Sequence, residues 1–398
     1  MTLDLVNTLS DLVAIPSVNP MGRTVSGPEY FEHQLTDHLE RLFQRMGLRT
    51  ERQTIAPLRD NILATVDGSV PPERGGPLVL FEVHQDTVPV DGMTIEPWTP
   101  AVRDGRLYGR GSCDVKGGMA AMLCALARLA EERPAGRATV VLACTVNEEH
   151  GFTGASGLCR LWSGERSSLI PRAPDAAIVA EPTRLGIVVA HKGVVRWRCR
   201  TNGRAAHSSL TEAGDNAIYR MAPIVAALER YHRQVLTGFA THPLCGRPTL
   251  SVGTIAGGIS VNTIPDRCTI EIDRRLLPGE DPARAYQQVI DYLSATIGDA
   301  DALRHIEHDL PLMQSPGLSD AANGPLAARL ADAVGEVTDR AMKTGVPFGT
   351  DAAAIARAGV PTVVFGPGAI DQAHTADEWV PLDEVAQASE ILYRFASR

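Results

Sequence analysis

Histidines and carboxylates follow short apolar runs at several separate places in this sequence, and side chains of these types bind metal ions. His84 and Asp86, for example, come directly after the apolar run Leu78–Val83. Zn²⁺ accepts a mixture of imidazole and carboxylate ligands, whereas Mg²⁺ and Ca²⁺ prefer oxygen ligands alone. Metal-assisted hydrolysis is therefore a candidate chemistry. The residues concerned are His84, Asp86, Asp114, Glu148, Glu149, Glu181 and His374.

Each of these residues also has a simpler explanation when it is considered alone. Asp114 can cap the helix that follows it, and the pair Glu148 and Glu149 can be a solvated loop. Glu181 can be a surface acid before a proline turn, and His374 an ordinary loop histidine. The simple explanations fail for the set, because carboxylates gathered at one edge of a sheet repel each other unless a cation neutralises them.

The number of ligands suits two metal ions. Five residues supply two imidazoles and three carboxylates. If Asp114 bridges, each metal receives one histidine, one terminal carboxylate and the shared aspartate, which leaves room for a bridging water. Glu148 is then not needed as a ligand, and we expect it to act as the general base for that water. The five ligands are His84, Asp114, Glu149, Glu181 and His374.

The elements that position these residues are predicted to be strands of one sheet. Leu78–Val83 is apolar and rich in β-branched residues, with glycine and proline on both sides, as in a buried strand. Ala138–Val146 and Ala176–Ala180 are similar runs. In open α/β sheets, ligands bind at the carboxyl ends of the strands.

Helices are predicted between these strands. A capping box at Ser26–Glu29 should start a helix with Phe31 and Met46 on its apolar face, ended by Gly47. A second helix is expected over Gly117–Glu132. Alternating helices and apolar strands predict an α/β fold with a mostly parallel sheet and helices on both faces.

The pattern changes after residue 191. Val194–Thr201 alternates apolar and basic residues, as a half-exposed strand does. The order of elements predicts a smaller α+β (βαββαβ) domain over residues 192–300, inserted into a discontinuous catalytic domain of residues 1–191 and 301–398. The elements expected next are a helix capped by Asp215 and running to about Leu236, strands Pro248–Ile255 and Cys268–Arg275, a helix from Asp281 to Ile297 and a strand Ala302–His308. From about residue 310 the pattern of the larger domain returns. The elements expected there are a helix over about Pro325–Asp339, a short helix after Asp351 and a strand Val360–Phe365.

Composition excludes several classes of function. A length of 398 residues predicts two domains. The net charge of −9 and the pI of about 5.7 argue against a nucleic-acid partner. No apolar run reaches the roughly 18 residues that a membrane span needs. We expect no signal peptide, and the seven scattered cysteines suit a reduced, cytoplasmic protein.

The motifs, in this order, resemble the dinuclear zinc hydrolases of the M20 metallopeptidase group along nearly the whole chain. They include Arg110-Gly-Ser-Cys-Asp114-Val-Lys-Gly-Gly118 and Gly366-Pro-Gly-Ala-Ile-Asp-Gln-Ala-His374-Thr-Ala-Asp377-Glu378. The resemblance implies two Zn²⁺ per subunit, with Co²⁺ or Mn²⁺ as substitutes, and a homodimer formed by the inserted domain. It implies His84, Asp114 and Glu181 on one zinc and Asp114, Glu149 and His374 on the other, with Asp86 behind His84 and Glu148 as general base.

Residues of the inserted domain gain a role only through this resemblance. By itself, His207 is an ordinary histidine at a strand end, whereas the resemblance implies that it stabilises the oxyanion in the partner's site. Asn262 resembles a substrate-contact residue, and Arg275 an arginine for the substrate carboxylate, although Arg274 is next to it. In the larger domain, Thr350 and Gly368 lie in loops that resemble substrate-side loops of the group.

The loop around His374 looks most like the acetylornithine deacetylase branch. Val83 and Ala352 depart from residues common in the group, and the second departure bears on substrate specificity. We therefore expect a zinc-dependent amidohydrolase that removes an acyl group from a small N-acyl amino acid such as N-acetylornithine. The alternatives are a desuccinylase acting on succinyl-diaminopimelate, or a dipeptidase or aminopeptidase. A catalytically silent binding protein would be favoured by an incomplete set of ligands.

Overall fold

Fully buried strands form the centre of a mixed sheet in the computed structural model, which describes residues 2–338 and 341–398. The chain forms two compact units. The first comprises Met1–Val189, Ser319–Thr344 and Thr350–Arg398, and the second comprises Ala190–Leu318 and Gly345–Gly349. The second unit thus extends beyond residue 300, which is the predicted end of the inserted domain.

The helices and strands up to the second unit alternate along the chain. They are α1 (Leu5–Val13), α2 (His33–Arg45), β1 (Arg49–Ala56), β2 (Arg59–Val66), β3 (Leu78–His84), β4 (Ala101–Arg103), β5 (Arg106–Tyr108), α3 (Gly117–Glu132), β6 (Thr139–Thr145), α4 (Thr153–Ser163), β7 (Ala176–Val179) and β8 (Ile187–His191).

The remaining elements complete both units. They are β9 (Gly193–Asn202), β10 (Ala206–His207), α5 (Ala217–Arg230), β11 (Thr249–Gly257), β12 (Thr263–Ile264), β13 (Arg267–Leu276), α6 (Pro282–Ile297), α7 (Ala300–Arg304), β14 (Ile306–His308), β15 (Met313–Ser315), α8 (Gly324–Gly335), β16 (Lys343–Val346), α9 (Ala352–Arg357), β17 (Thr362–Val364), β18 (Trp379–Pro381) and α10 (Leu382–Ala396).

The large sheet has the strand order β1-β2-β6-β3-β7-β17-β8-β16. The pairs β6–β3, β3–β7 and β7–β17 are parallel, and antiparallel pairs flank them. Every residue of β3 and β6 is buried, because helices cover both faces of the sheet. The α/β fold class predicted from the continuous apolar runs is therefore confirmed.

Alternate residues of the central strands face two different helical layers. Val79, Phe81 and Val83 pack in one cluster with buried residues of α1, α2, α3, α8 and α10. The intervening residues of β3 face the opposite layer, where α4 and α9 contact each other. Burying a leucine or phenylalanine side chain contributes about 1.5–3 kcal/mol, so this core holds the strand ends in fixed positions.

The second unit is built on an antiparallel sheet of order β11-β13-β9-β14, with β15 also paired to β9. Trp197, Ile270 and Ile272 face a core shared with α5 and α6. The other face is charged, with cross-strand ion pairs such as Arg198 with Glu271. The strict alternation predicted for the strand at 194–201 follows from this arrangement, since one face is covered by helices and the other is not.

Several predicted boundaries are wrong, and backbone angles and a helix cap explain two of them. The first long helix starts at His33 rather than at Ser26, because Gly27 and Phe31 have left-handed backbone angles that interrupt a helix. Asn216, not Asp215, caps α5. The segment expected to be a strand from Ala302 begins as helix α7. The helix predicted over Pro325–Asp339 ends at Gly335, and Asp339 lies outside the described residues.

The unpredicted elements include α1, α10 and a hairpin at the edge of the large sheet, in which β1 and β2 pair antiparallel.

Among the described residues, no helix has both the length and the apolar character that crossing a membrane requires.

Candidate metal centre

The predicted ligands lie together at the carboxyl ends of the central strands of the first unit. His84 is the last residue of β3 and pairs in register with Thr145, the last residue of β6. Glu149 lies four residues beyond β6, and Glu181 lies two residues beyond β7. Asp114 lies in a single irregular turn just before α3. The parallel register of the strands therefore brings the side chains that follow them to one place.

The ligand atoms form two groups that share Asp114. In each group, one atom from each residue lies within 4.8 Å of the other two. Asp114 Oδ1 lies 3.1 Å from His84 Nε2, and Asp114 Oδ2 lies 3.3 Å from His374 Nε2. Because its two oxygens face different imidazoles, this carboxylate has the arrangement that a bridging ligand requires. The groups are His84, Asp114 and Glu181, and Asp114, Glu149 and His374.

The electrostatics of these residues fit bound cations. Burial, and then the Asp114 carboxylate, raise the pKa of Glu181 well above its usual range. Burial raises the pKa of Glu149 to about 7, against the opposing effect of a hydrogen bond from His374. Burial lowers the pKa of His374, but hydrogen bonds to Asp114 and Glu149 outweigh it and bring the value to about 11. Carboxylates packed this closely are stabilised by positive charge, and the mixed donor set suits a borderline divalent metal.

The stability of the metal-free protein is expected to fall as the pH rises from about 5 to about 8. The pKa of Glu149 is about 7 in the folded chain and 4.5 ordinarily. Between these values the folded state binds more protons than the unfolded state, so its stabilisation is present at the acidic end and is lost as the pH passes 7. The midpoint of thermal unfolding after treatment with a chelator measures this.

Added Zn²⁺ provides the comparison for this pH series. Metal binding favours deprotonated ligands, so the stabilisation by zinc should increase over the same pH range. The variant Glu149→Gln is the control, because it removes this titrating group and should make the metal-free profile less steep, while the raised pKa values of Asp351 and Glu181 still contribute to the slope. A metal-free midpoint that rises with pH would contradict the pKa order stated here.

Glu148 lies beside both groups but belongs to neither. It is buried, with 8% of its surface exposed. Burial, and then the Glu181 carboxylate, raise its pKa well above the usual range of a glutamic acid. A raised pKa suits a group that must accept a proton and later return it.

Asp86 contacts the ring of His84 through its backbone oxygen and not through its carboxylate. The Nδ1 atom of His84 lies 2.9 Å from the backbone oxygen of Asp86 and 3.7 Å from its carboxylate. The carboxylate instead accepts the backbone amides of Glu148 and Glu149, each at 3.1 Å. Asp86 therefore fixes the tautomer of His84 through its main chain, which leaves its side chain to hold the loop after β6.

Glu378 is a buried residue of this centre that sequence reasoning missed. Its Oε1 atom accepts the amides of Cys113 at 2.9 Å and Asp114 at 3.0 Å. Its Oε2 atom accepts the amide of Gly111 at 3.0 Å and the Arg110 guanidinium at 2.6 Å. Four hydrogen bonds to one carboxylate fix the turn that carries the shared aspartate. The only available signal was the position of Glu378 inside the last motif, and its partners are more than 260 residues away.

Two further buried acids meet at Thr145, the last residue of β6: Glu82 of β3, and Asp351 at the start of α9. Glu82 and Asp351 both accept the hydroxyl group of Thr145, at 2.5 Å and 3.2 Å. Burial, and then the Asp351 charge, raise the pKa of Glu82 well above its usual range. Burial raises the pKa of Asp351 to about 7. This pair ties the start of α9 to the strands that carry the metal ligands.

The candidate substrate residues of the larger domain lie in the first unit. Thr350 is buried, and its Oγ1 accepts the amide of Ala352 at 3.2 Å. Gly368 has a φ of +82°, and a Cβ atom there would lie 2.7 Å from the sulfur of Cys113. The last motif therefore needs glycine at this position to pack against the turn that holds Asp114.

His207 and Asn262 are neighbours in the second unit. The short pair β10–β12 places His207 opposite Thr263, and the amide of Ser208 donates to the backbone oxygen of Asn262 at 3.0 Å. The imidazole of His207 is exposed, and its Nδ1 lies 2.7 Å from the hydroxyl of Ser209. The two residues thus share one exposed edge of this unit.

Arg274 and Arg275 point to opposite faces of β13. Arg274 is fully buried and donates to Glu280 at 2.7 Å. Arg275 lies on the charged face, where its Nε donates to Asp273 at 2.8 Å. Of the two, only Arg275 presents a guanidinium that a solvent-borne ligand can reach.

This sequence is similar to those of known metal-dependent hydrolases. Residues 80–398 match the sequence profile of peptidase family M20/M25/M40. The acetylornithine deacetylase of Myxococcus xanthus is 32% identical over 375 residues, which cover 90% of each protein. A probable succinyl-diaminopimelate desuccinylase of Staphylococcus aureus (strain MSSA476) is 26% identical over 381 residues, which cover 88% of this chain and 89% of the relative.

A solved structure shares the fold. The M20 family metallo-carboxypeptidase Sso-CP2 from Sulfolobus solfataricus superposes with a TM-score of 0.77, covering 100% of this chain and 99% of that chain at 16% identity. At this identity the likeness concerns the fold alone. The profile match spans most of the chain, and the chain therefore belongs to peptidase family M20/M25/M40, metal-dependent hydrolases that act on amide bonds.

Proposed function

We propose that the protein is a two-zinc deacylase that removes an acyl group, such as acetyl, from a small amino acid such as N-acetylornithine. The observation that carries the proposal is the pair of ligand groups that share Asp114, with the buried Glu148 beside them. The deacetylase relative, at 32% identity over 90% of both proteins, supports the choice of substrate.

The proposed centre would hold one zinc with His84, Asp114 and Glu181, and the other with Asp114, Glu149 and His374. Bound divalent metals supply Lewis-acid chemistry, because they lower the pKa of water and polarise an amide carbonyl. Two imidazoles among the five ligands favour zinc over magnesium or calcium. Co²⁺ and Mn²⁺ accept similar ligands and are the expected substitutes.

Glu148 is the general base and acid of the proposed reaction. Its carboxylate accepts a proton from the attacking water and then donates that proton to the nitrogen of the leaving amine. The products are a carboxylic acid and a free amino acid. Asp86 holds the amides of Glu148 and Glu149, so that the base and the neighbouring ligand keep a fixed spacing.

The second unit is proposed to supply the other contacts with the substrate. Arg275 would bind the substrate carboxylate, since its partly exposed guanidinium can pair with it bidentately. Asn262 would contact the substrate, and His207 of the partner subunit would stabilise the oxyanion. Thr350 and Gly368 would line the substrate side of the first unit.

A homodimer formed through the second unit is part of the proposal. β11 is an edge strand of its sheet, and edge strands expose unpaired backbone groups. Apolar side chains on this strand and in the loop after it are exposed, including Ile255 at 60%, Ile259 at 92% and Val261 at 101% of their surface. An apolar patch of this kind, next to an open sheet edge, suits a second copy of the same unit.

A substrate panel tests the proposal. The purified protein would be stripped with a chelator, restored with Zn²⁺, and assayed with N-acetylornithine, other N-acetyl amino acids, N-succinyl-diaminopimelate and dipeptides. We expect zinc-dependent hydrolysis that is fastest on an N-acetyl compound. Fastest hydrolysis of the succinyl compound or of dipeptides would replace the deacetylase assignment with the corresponding alternative. A protein that binds no metal would refute the centre itself.

A further inference from the structure

Three consecutive amides after β6 are held by two buried carboxylates. The amide of Asn147 donates to Glu32 Oε1 at 3.2 Å. The amides of Glu148 and Glu149 donate to the two carboxylate oxygens of Asp86, each at 3.1 Å. Asn147 has a φ of +62°, a conformation that asparagine tolerates. Successive N–H groups in such a turn point to one side and can bind an anion. In this loop, the anions are carboxylates of the protein itself.

Asn19 connects these contacts from a distant part of the chain. Its side-chain nitrogen donates to Asp86 Oδ2 at 2.7 Å and to the side-chain oxygen of Asn147 at 3.0 Å. Its side-chain oxygen accepts the amide of Met21 at 3.0 Å. The residue is buried, with 1% of its surface exposed. Both hydrogens of this amide group are therefore used to hold groups that carry the loop.

The N–H donors of Asn19 are as important as the shape of its side chain. An amide nitrogen can donate to the Asp86 carboxylate, whereas a carboxylate at the same place would repel it. With three N–H donors, the Asp86 carboxylate has one defined orientation, and this orientation fixes the amides of Glu148 and Glu149. Without Asn19, the carboxylate can rotate and the loop can shift with it.

We propose that Asn19 is a positioning residue of the reaction, which acts through Asp86 to aim the carboxylate of Glu148 at the attacking water. The proposal rests on the assignment of Glu148 as the general base. A displacement of a reacting group by about 1 Å costs on the order of 10²-fold in rate. Substrate binding does not depend on the direction of Glu148, so the loss should appear in kcat and not in KM.

The test compares Asn19→Ala with Asn323→Ala in the full chain. Asn323 is also buried, and it makes three hydrogen bonds at the opposite edge of the large sheet, to Val189, Ser319 and Thr362. We expect Asn19→Ala to lower kcat by about 10- to 100-fold, with KM within about threefold and two zinc ions still bound. Asn323→Ala should lower the midpoint of thermal unfolding to a similar degree and leave kcat within about twofold.

A second variant, Asn19→Asp, keeps the size of the side chain and tests the charge. At neutral pH the introduced carboxylate should lower kcat at least as much as alanine does. Its kcat relative to the unchanged protein should increase as the pH falls, because a protonated carboxyl group can again donate to Asp86. A ratio that does not change with pH would contradict this donor role.

The results separate this proposal from the proposed function. If Glu148→Gln is inactive but Asn19→Ala has the kcat of the unchanged protein with two zinc ions bound, Asn19 does not position the base. If Asn323→Ala loses as much kcat as Asn19→Ala, the effect is one of general stability and the proposal is also wrong. If Glu148→Gln is fully active, the assignment of the base itself fails.

Discussion

Replacing Glu148 with glutamine is expected to lower kcat by about 10²- to 10⁴-fold while both metal ions stay bound. Glutamine has the same size but cannot accept a proton. General acid–base catalysis by a positioned side chain typically increases a rate by about 10²- to 10⁴-fold. Glu148 lies outside both groups of ligand atoms, so its replacement removes no ligand. The measurements are kcat on the best substrate of the panel and the zinc content of the purified variant.

An exposed glutamate far from the centre gives the control for this variant. Glu73 lies in a short surface turn, and Glu73→Gln should keep full activity and two metals. If Glu148→Gln keeps more than about a tenth of the activity, another group must accept the proton. If it is inactive because it has lost a metal, Glu148 is a ligand and the division of roles proposed for Glu148 and Glu149 must be revised.

Replacing Asp114 with alanine is expected to remove both metal ions and all measurable activity. This residue contributes an oxygen to each group, and it lies within 3.3 Å of both imidazoles. No other carboxylate belongs to both groups among the residues that the structure describes. Without it, each metal would keep only two protein ligands. Elemental analysis after dialysis, together with titration of the metal-free variant with Zn²⁺, measures the loss.

The matched variant for this experiment is Glu181→Ala. Glu181 belongs to one group only, so this protein should keep about one metal, bound by Asp114, Glu149 and His374. Two metals retained by Asp114→Ala would show that the two groups bind independently. Loss of both metals from Glu181→Ala would show that the two sites fill only together.

The sequence was sufficient to predict the features that depend on individual strands. The runs that end at His84 and before Glu149 are buried on both faces, so they read as continuous apolar segments. Parallel strands of one sheet end at the same edge, which is enough to gather the side chains that follow them. The architecture, and the meeting of His84, Glu149 and Glu181, follow from these two facts, whereas Asp114 lies in a turn before α3 and His374 in a loop well after β17.

The residues that hold the ligands could not be found in this way, because their partners are distant in sequence. Asn19 bonds to a residue 67 positions later, and Glu378 bonds to amides more than 260 positions earlier. An isolated asparagine or glutamate carries no local pattern that shows such a partner. Their roles became visible only when the hydrogen bonds of the folded chain were known.

The choice between Arg274 and Arg275 illustrates a different limit. Alternation along a strand predicts that neighbouring residues face opposite sides, and this holds for β13. It does not predict that the arginine on the apolar side is fully buried. That position is possible because Glu280 supplies a carboxylate for the buried guanidinium of Arg274.

The contacts of Glu378 have a consequence for the synthesis of this protein. The residues from His374 to Glu378 supply both a predicted ligand and the carboxylate that holds the turn of Asp114. A chain still growing on the ribosome has most of the large sheet before it has this segment. Its shared aspartate is then not yet held in place, and the second group lacks its histidine. Stable loading of the proposed two-metal centre would therefore wait until residues 374–378 have left the ribosome and Glu378 has bonded to the turn of Asp114.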